Sequence, residues 1–351
     1  MILSICVPTR DREDCILDMI NSIKGKNLNQ IELVIVDDSR SDETREIIEK
    51  NIDSEVNLNY MRESHYSFNK EFIEQLNGMD IAIAQAVLNA NGKYCWLMSD
   101  DDAFAKGALD QILNTIKSEN DLYIGNIFYC DKNLNKFGKS NFLSKNRARN
   151  VFNIANPKIF EEYIECSTSN NALLSFMPAI IFKRENWIKY LHEPSNYVFG
   201  YHHIYKLFVP KNYKDTYTIS YIDEPILLNR SFNDSYSRLG LYKRYLVDFE
   251  GYLQLSDELF NPEDNVKIKF IENMRKEHGF LRILKLRTAI KNDEWSYITS
   301  LLIRYGYSSS FILLINILNF SKLNNFLIPF LESINSIHKK FKLKFMGIFN
   351  N

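Results

Sequence analysis

Three consecutive aspartates, Asp100, Asp101 and Asp102, follow the apolar run Tyr94-Cys95-Trp96-Leu97-Met98 and Ser99. Carboxylates repel one another and cost free energy to desolvate, so three of them directly after a buried strand call for a counterion. A hard divalent cation carrying phosphate oxygens supplies one. That chemistry points to a nucleotide-dependent enzyme. Pro8-Thr9-Arg10 and Asp37-Asp38-Ser39 end two further apolar runs in the same way.

The elements that must position these residues are legible in the first half of the chain. Residues 3–7 and 31–36 are short, β-branched apolar runs of the kind buried on both faces in a parallel sheet. Between them, residues 12–24 carry Ile16, Leu17, Ile20 and Ile23 at helical spacing, with Gly25 suited to a C-cap. Ser41 is the expected N-cap of a second helix. Residues 58–61 read as a third strand and residues 80–88 as a helix, before Asn91-Gly92 turns the chain into a strand at 94–98. Right-handed crossovers put the carboxyl ends of such strands on one edge, so the three polar segments converge on one crevice. Strand signals follow at 122–129, 179–182 and 217–222, and after about Leu239 the pattern is helical.

Composition narrows the function classes. With 351 residues, 45% apolar content and a net charge of -1, the chain is globular and lacks the basic excess of a protein whose main partner is nucleic acid. Cys6, Cys15, Cys95, Cys130 and Cys166 are odd in number and show no Cys-x-x-Cys spacing, which predicts free thiols in a reducing, cytoplasmic compartment. The apolar start lacks the basic flank and cleavage site of a signal peptide and reads as a core strand. The late apolar stretch, residues 311–320, is about half of the roughly 20 residues needed to cross a bilayer.

Three segments carry a resemblance: residues 4–12 (SICVPTRDR), 32–42 (ELVIVDDSRSD) and 90–102 (ANGKYCWLMSDDD). In order and spacing they resemble the motifs of family 2 glycosyltransferases with a GT-A fold, over roughly the first third of the chain. The Trp-Leu-x-x-Asp-Asp-Asp form is similar to bacterial transferases that build O-antigen or capsule, including abequosyltransferase-like enzymes. The resemblance implies an α/β fold, a Rossmann-like mixed and mostly parallel sheet flanked by helices, with a helical C-terminal region. A nucleotide-sugar-binding domain is expected over residues 1–238 and the helical region over 239–351.

Carried over residue by residue, Pro8, Thr9 and Arg10 would line the base pocket and Asp38 would bond the base or ribose, while Arg10 or Arg12 approaches a phosphate. Asp37 suits a turn equally well. Ser99 stands where many members have the first aspartate of an Asp-x-Asp motif. Asp101 then becomes the expected ligand of Mn²⁺ or Mg²⁺, Asp100 lies near the ribose or first phosphate, and Asp102 holds the loop or a metal-bound water. Asp80, in Gly78-Met79-Asp80, is expected either at the donor or as a helix N-cap.

The family's acceptor base is a carboxylate, often in a Glu-Asp pair, where this chain has Gly200-Tyr201-His202-His203. A histidine, with an ordinary pKa of about 6.5, suits proton transfer or metal ligation. His203 is the expected base, His202 the second candidate and Glu224 a third. A packed or surface role is the rival for each histidine. Arg230 would fork onto the diphosphate, with a surface salt bridge as its alternative. Residues 231–240 have the composition of a lid. The tail beyond Ser308, with Phe311, Leu314, Ile315, Leu318 and later lysines, suits the surface of an anionic bilayer on the inner face of the membrane. Its alternative is packing on the catalytic domain or in a homo-oligomer.

The expected activity is transfer of a sugar from a nucleoside diphosphate sugar to a hydroxyl of a growing, lipid-linked bacterial surface glycan, with inversion. A sugar nucleotidyltransferase is the alternative, and a glycine-rich basic loop after the first strand would mark it; residues 8–12 contain no glycine. A non-catalytic glycan-binding protein with the same fold is a third reading, marked by loss of the aspartates, which are present.

Overall fold

The computed structural model describes residues 1–25, 27–62, 78–190, 200–231, 233, 240–321, 323–324 and 326–333. Its contacts divide the chain into two compact units, Met1–Asn233 with Gln254–Phe270, and Asp234–Leu253 with Ile271–Asn351. The expected boundary at 238/239 had assigned residues 254–270 to the C-terminal region; they group with the first unit.

The first unit is built on ten strands: β1 (Leu3–Thr9), β2 (Ile31–Asp37), β3 (Asn57–Arg62), β4 (Tyr94–Leu97), β5 (Ala103–Phe104), β6 (Leu122–Cys130), β7 (Lys136–Lys139), β8 (Val151–Asn153), β9 (Ile180–Lys183) and β10 (Thr218–Arg230). They form one sheet in the order β3-β2-β1-β4-β9-β6-β10-β5, with β7 paired to β6 and β8 to β10. β1 to β4 are mutually parallel, β9 runs against both β4 and β6, and β10 is parallel to β6. Every residue of β1 and β2 is buried, because helices cover both faces of a parallel sheet; each Ile, Leu or Val so buried stabilises by about 1.5–3 kcal/mol.

The helices of this unit are α1 (Glu13–Ser22), α2 (Glu43–Asn51), α3 (Gly78–Asn89), α4 (Ala108–Thr115), α5 (Pro157–Cys166), α6 (Arg184–Lys189) and α7 (His202–Phe208). α1 turns Cys15, Ile16, Met19 and Ile20 inward and ends at Ile23 rather than at Gly25. α2 starts after Asp42, not Ser41; the Asp42 carboxylate caps no N–H because it pairs with Arg62.

Buried polar groups fix the register of the central strands. Ser4 Oγ donates to the buried Glu32 carboxylate, which also receives the N–H groups of Asn91 and Gly92. This ties β1, β2 and the turn into β4 at the edge remote from the aspartates. Gly92 is required there, since a Cβ would lie 2.5 Å from Ser4 Oγ and 2.7 Å from its backbone nitrogen.

β10 corrects one expectation. The strand at 217–222 and the later segment from Pro225 are one strand with a bulge between Ile222 and Leu227. Proline is tolerated at such a bulge. Asn126, buried on β6, donates Nδ2 to Asp223 O at 2.8 Å and accepts the Tyr221 hydroxyl at 2.7 Å, so the broken ladder remains hydrogen-bonded. β10 thereby reaches the same edge as β1, β2 and β4.

The second unit is helical. The division cuts α8 (Leu241–Leu259) and α9 (Asn265–Glu277), and α10 (Phe280–Ala289), α11 (Asn292–Arg304) and α12 (Ser309–Phe320) complete it. Its core joins Phe249, His278 and Tyr305 by ring contacts of 4.8 and 5.3 Å, and the Tyr305 hydroxyl donates to Phe249 O at 2.8 Å. No helix of the described residues is long and apolar enough to cross a membrane. The five cysteines are free thiols.

Candidate active site

Parallel pairing of β1 with β2 and β4 brings Thr9, Asp37 and Leu97 to one edge, and two reversals through β9 bring Cys130 and Arg230 to it as well. Asp38 N donates to Thr9 O at 2.9 Å, so the segments after β1 and β2 stay side by side. Arg10 and Asp38 pair at 3.0 Å with the guanidinium largely in solvent. Asp37 is fully buried; it accepts Ser39 N at 2.7 Å and the Tyr60 hydroxyl, which makes it the turn residue.

The three aspartates have different partners. Asp100 Oδ2 accepts the Thr9 hydroxyl at 2.8 Å, linking β1 to the loop after β4. Asp102, expected among the metal ligands, has both oxygens occupied: Oδ1 accepts Asn229 Nδ2 (3.0 Å) and Arg230 N (2.8 Å), and Oδ2 accepts the Ser99 hydroxyl (2.8 Å). Its geometry is that of a loop-holding group. Asp101 Oδ2 accepts Asn233 Nδ2 at 2.8 Å and lies 3.7 Å from Arg12 Nη1, while Arg12 Nη2 donates to Asn233 O at 3.2 Å.

Arg230, expected to grip a diphosphate, is committed to the protein. Nε donates to Asp101 O at 2.9 Å, Nη1 to Lys132 O, and Nη2 to Asp18 Oδ2 at 2.6 Å. An open cleft of about 930 Å³ extends from Arg230 and Asn233 between α1 (Asp14, Cys15, Asp18) and the turn Asp131-Lys132-Asn133.

The charge balance of this cluster is unfavourable. Among the described residues, Arg12 lies beside Asp101 and Arg230 pairs with Asp18, while Asp100 and Asp102 form no ion pair of their own. Burial pushes Asp100 up to about 7, with repulsion from Asp101 adding to it against the Thr9 hydroxyl and Arg12. Burial and Asp101 push Asp102 to about 7 as well. Asp101 is raised by burial, with Arg12 opposing. Such a donor set fits a divalent cation. Among the described residues no group of three or more His, Cys, Asp or Glu side chains is arranged to hold a metal. The fit is therefore to a cation bound by one or two carboxylates and completed by diphosphate oxygens.

The other expected residues lie apart. His202 and His203 open α7 and are buried. His203 Nε2 lies 2.9 Å from Leu174 O, and Nδ1 has no hydrogen-bond partner among the described residues. Burial pulls His203 down to about 4, and burial with Lys206 and His203 pulls His202 to about 3. Asp80 is buried in the first turn of α3, inside the helix rather than capping it, and accepts Gly200 N at 3.3 Å. Glu224 is exposed in the β10 bulge, six positions before Arg230, and is not brought to the aspartates. Of the expected lid, residues 232 and 234–239 lie outside the described residues, as does the basic tail at 338–345.

Asn229, Asn233 and Asp18 were not foreseen. Asn229 and Arg230 end a strand parallel to β6, which was the available signal for a site position; Asp18 is one of several polar residues on α1 and carries none.

The family model described as glycosyl transferase family 2 matches residues 4–185. The abequosyltransferase RfbV of Salmonella typhimurium is 27% identical over 295 residues, covering 80% of this chain and 82% of that protein. A GalNAc(5)-diNAcBac-PP-undecaprenol beta-1,3-glucosyltransferase of Campylobacter jejuni is 22% identical, covering 59% of this chain and 65% of that protein. Among solved structures, S. aureus TarS 1-349 in complex with UDP-GlcNAc superposes with a TM-score of 0.59 at 18% identity, over 87% of this chain and 80% of that one. That likeness shows the fold.

Proposed function

The chain belongs to glycosyl transferase family 2, and we propose that it moves a sugar from a nucleoside diphosphate sugar to a hydroxyl of a lipid-linked bacterial surface glycan. The observation that carries this is the run Asp100–Asp102, in which Asp100 and Asp102 are buried with their carboxyls raised, joined through Thr9 to the end of β1. A Mn²⁺ or Mg²⁺ ion held there would offset the carboxylates and bind the donor diphosphate in turn. The complex of TarS with UDP-GlcNAc supports a nucleotide-sugar donor, and the undecaprenol in the name of the Campylobacter relative supports a lipid-linked acceptor.

In this reading Pro8, Thr9 and Arg10 frame the base, Asp38 bonds the base or ribose, and Arg12 steadies Asp101. Asp101 would hold a divalent cation, which would supply positive charge against the leaving diphosphate. Asp100 orients the donor through its bond to Thr9, and Asp102 holds the loop. The acceptor oxygen bonds to the anomeric carbon as the bond to the diphosphate oxygen breaks. The nucleoside diphosphate leaves with the electron pair, and a base or solvent takes the hydroxyl proton.

His203 is buried and its pKa is drawn to about 4, which suits a packed ring better than a general base, so the acceptor proton goes to another group or to solvent. Proton NMR of the first-formed product reads inversion or retention from its anomeric configuration. The function is tested by a thermal-shift panel of nucleoside diphosphates with Mn²⁺. A nucleotide-specific rise in Tm that needs metal is expected, and its absence for every nucleotide removes the donor assignment.

A further inference from the structure

α12 is mostly apolar and is covered on one side. Its residues carry no charge, and Ile312 and Ile315 are buried. Leu313, Leu314 and Ile317 are exposed, and Phe320 is 91% exposed. At about 100° per residue, positions 313, 317 and 320 share one stripe, flanked by 314 and centred roughly 140° from the buried pair. Leu323, Phe330 and the 80% exposed Phe326 continue the apolar surface beyond it. A patch of this kind marks an interaction site, and twelve residues are well short of the roughly 20 that span a bilayer.

Charge identifies the occupant. The unit made of residues 234–253 and 271–351 holds fifteen Lys and Arg against eight Asp and Glu, a formal +7, whereas the whole chain is -1. The remaining residues therefore carry -8. After Glu294 the only acid is Glu332, against Arg304, Lys322, Lys339, Lys340, Lys342 and Lys344. A second copy would set +7 against +7, which opposes association. An anionic bilayer offers an apolar layer and opposite charge together.

We propose that the outward face of α12 docks the helical unit on an anionic lipid surface, with Leu313, Ile317 and Phe320 at the acyl boundary and the unit's net positive charge attracting the headgroups. The inference stands apart from the transferase reading, since its test uses neither donor nor acceptor.

The test is flotation of the full chain with vesicles of phosphatidylcholine alone or with about one-third phosphatidylglycerol, at low and high salt. Binding to the anionic vesicles is expected to be about tenfold or more tighter, and to weaken with salt. The triple substitution Leu313→Asn, Ile317→Asn, Phe320→Asn should lose about tenfold or more in affinity with Tm retained, since all three side chains face solvent. Replacing the four C-terminal lysines by Gln should remove the salt-sensitive part and leave the apolar face intact. No binding to anionic vesicles, or equal binding by the triple variant, overturns the proposal. So does self-association of the wild type that the triple variant abolishes without vesicle binding, which would assign the face to a second copy.

Discussion

Arg230 holds the backbone of Asp101: its Nε donates to the Asp101 carbonyl at 2.9 Å while its own N–H binds the Asp102 carboxylate at 2.8 Å. The end of β10 and the acidic loop after β4 therefore form one rigid corner, anchored to α1 through Asp18 at 2.6 Å. Residues 128 or more positions apart in sequence set the aim of the Asp101 side chain.

Arg230→Lys keeps the charge and loses the planar fork that reaches Asp101, Lys132 and Asp18 together. A drop in kcat of about 10- to 100-fold with donor KM nearly unchanged is expected, because misplacing a group at the reacting centre costs rate more than binding. Steady-state kinetics checks it. A raised KM with kcat retained would instead mean that Arg230 grips the diphosphate.

Asp102 separates structure from charge. In Asp102→Asn the amide oxygen still accepts from Asn229 and Arg230 and the NH₂ can donate to Ser99, so stability should fall by no more than about 1 kcal/mol. Asp102→Ala leaves those donors without their acceptor and should cost about 2 kcal/mol or more. Urea denaturation of both variants measures the difference.

The pH dependence of stability carries a signature of His203. Its folded pKa, about 4, lies below its ordinary 6.5, so between those values the unfolded chain binds a proton that the folded chain refuses. The neutral ring costs nothing above pH 6.5, and stability is then lost as pH falls, until the folded form also protonates near 4. His203→Gln should flatten this slope by about 1 kcal/mol per pH unit relative to wild type. Parallel Tm curves for the two proteins from pH 7 to 4.5 would contradict it.

Gly92→Ala tests the remote edge of the sheet. Its Cβ would meet Ser4 Oγ at 2.5 Å and Ser4 N at 2.7 Å, both held by the Glu32 network. A loss of about 1–3 kcal/mol is expected without a change in donor KM. Denaturant unfolding alongside kinetics reads both.

The sequence made the frame of the site visible and concealed its closure. β1, β2 and β4 are continuous apolar runs, each ending in polar residues, and the rule that parallel strands share a carboxyl edge was enough to bring Thr9 and Asp100 together. The Asp-Asp-Asp run declared its own need for a cation. Asn229, Asn233 and Asp18 are ordinary polar residues whose partners lie far along the chain, and nothing local announces a contact across 127 or more positions. Pro225 concealed the continuity of β10, because a proline argues against a central strand unless a bulge accommodates it. The α7 histidines were legible as residues able to move a proton, but their burial depends on how α7 packs, and spacing does not reveal that.

The central claim is that Asp101 and a divalent cation together hold the donor diphosphate. Calorimetric titration of the preferred nucleoside diphosphate into wild type and Asp101→Asn, each with Mn²⁺ and with chelator, tests it most directly. The account predicts binding by wild type that needs Mn²⁺ and falls by about 100-fold or more in Asp101→Asn, with Tm of the unliganded protein unchanged. Equal affinity with chelator, or full metal-dependent affinity in Asp101→Asn, would contradict it.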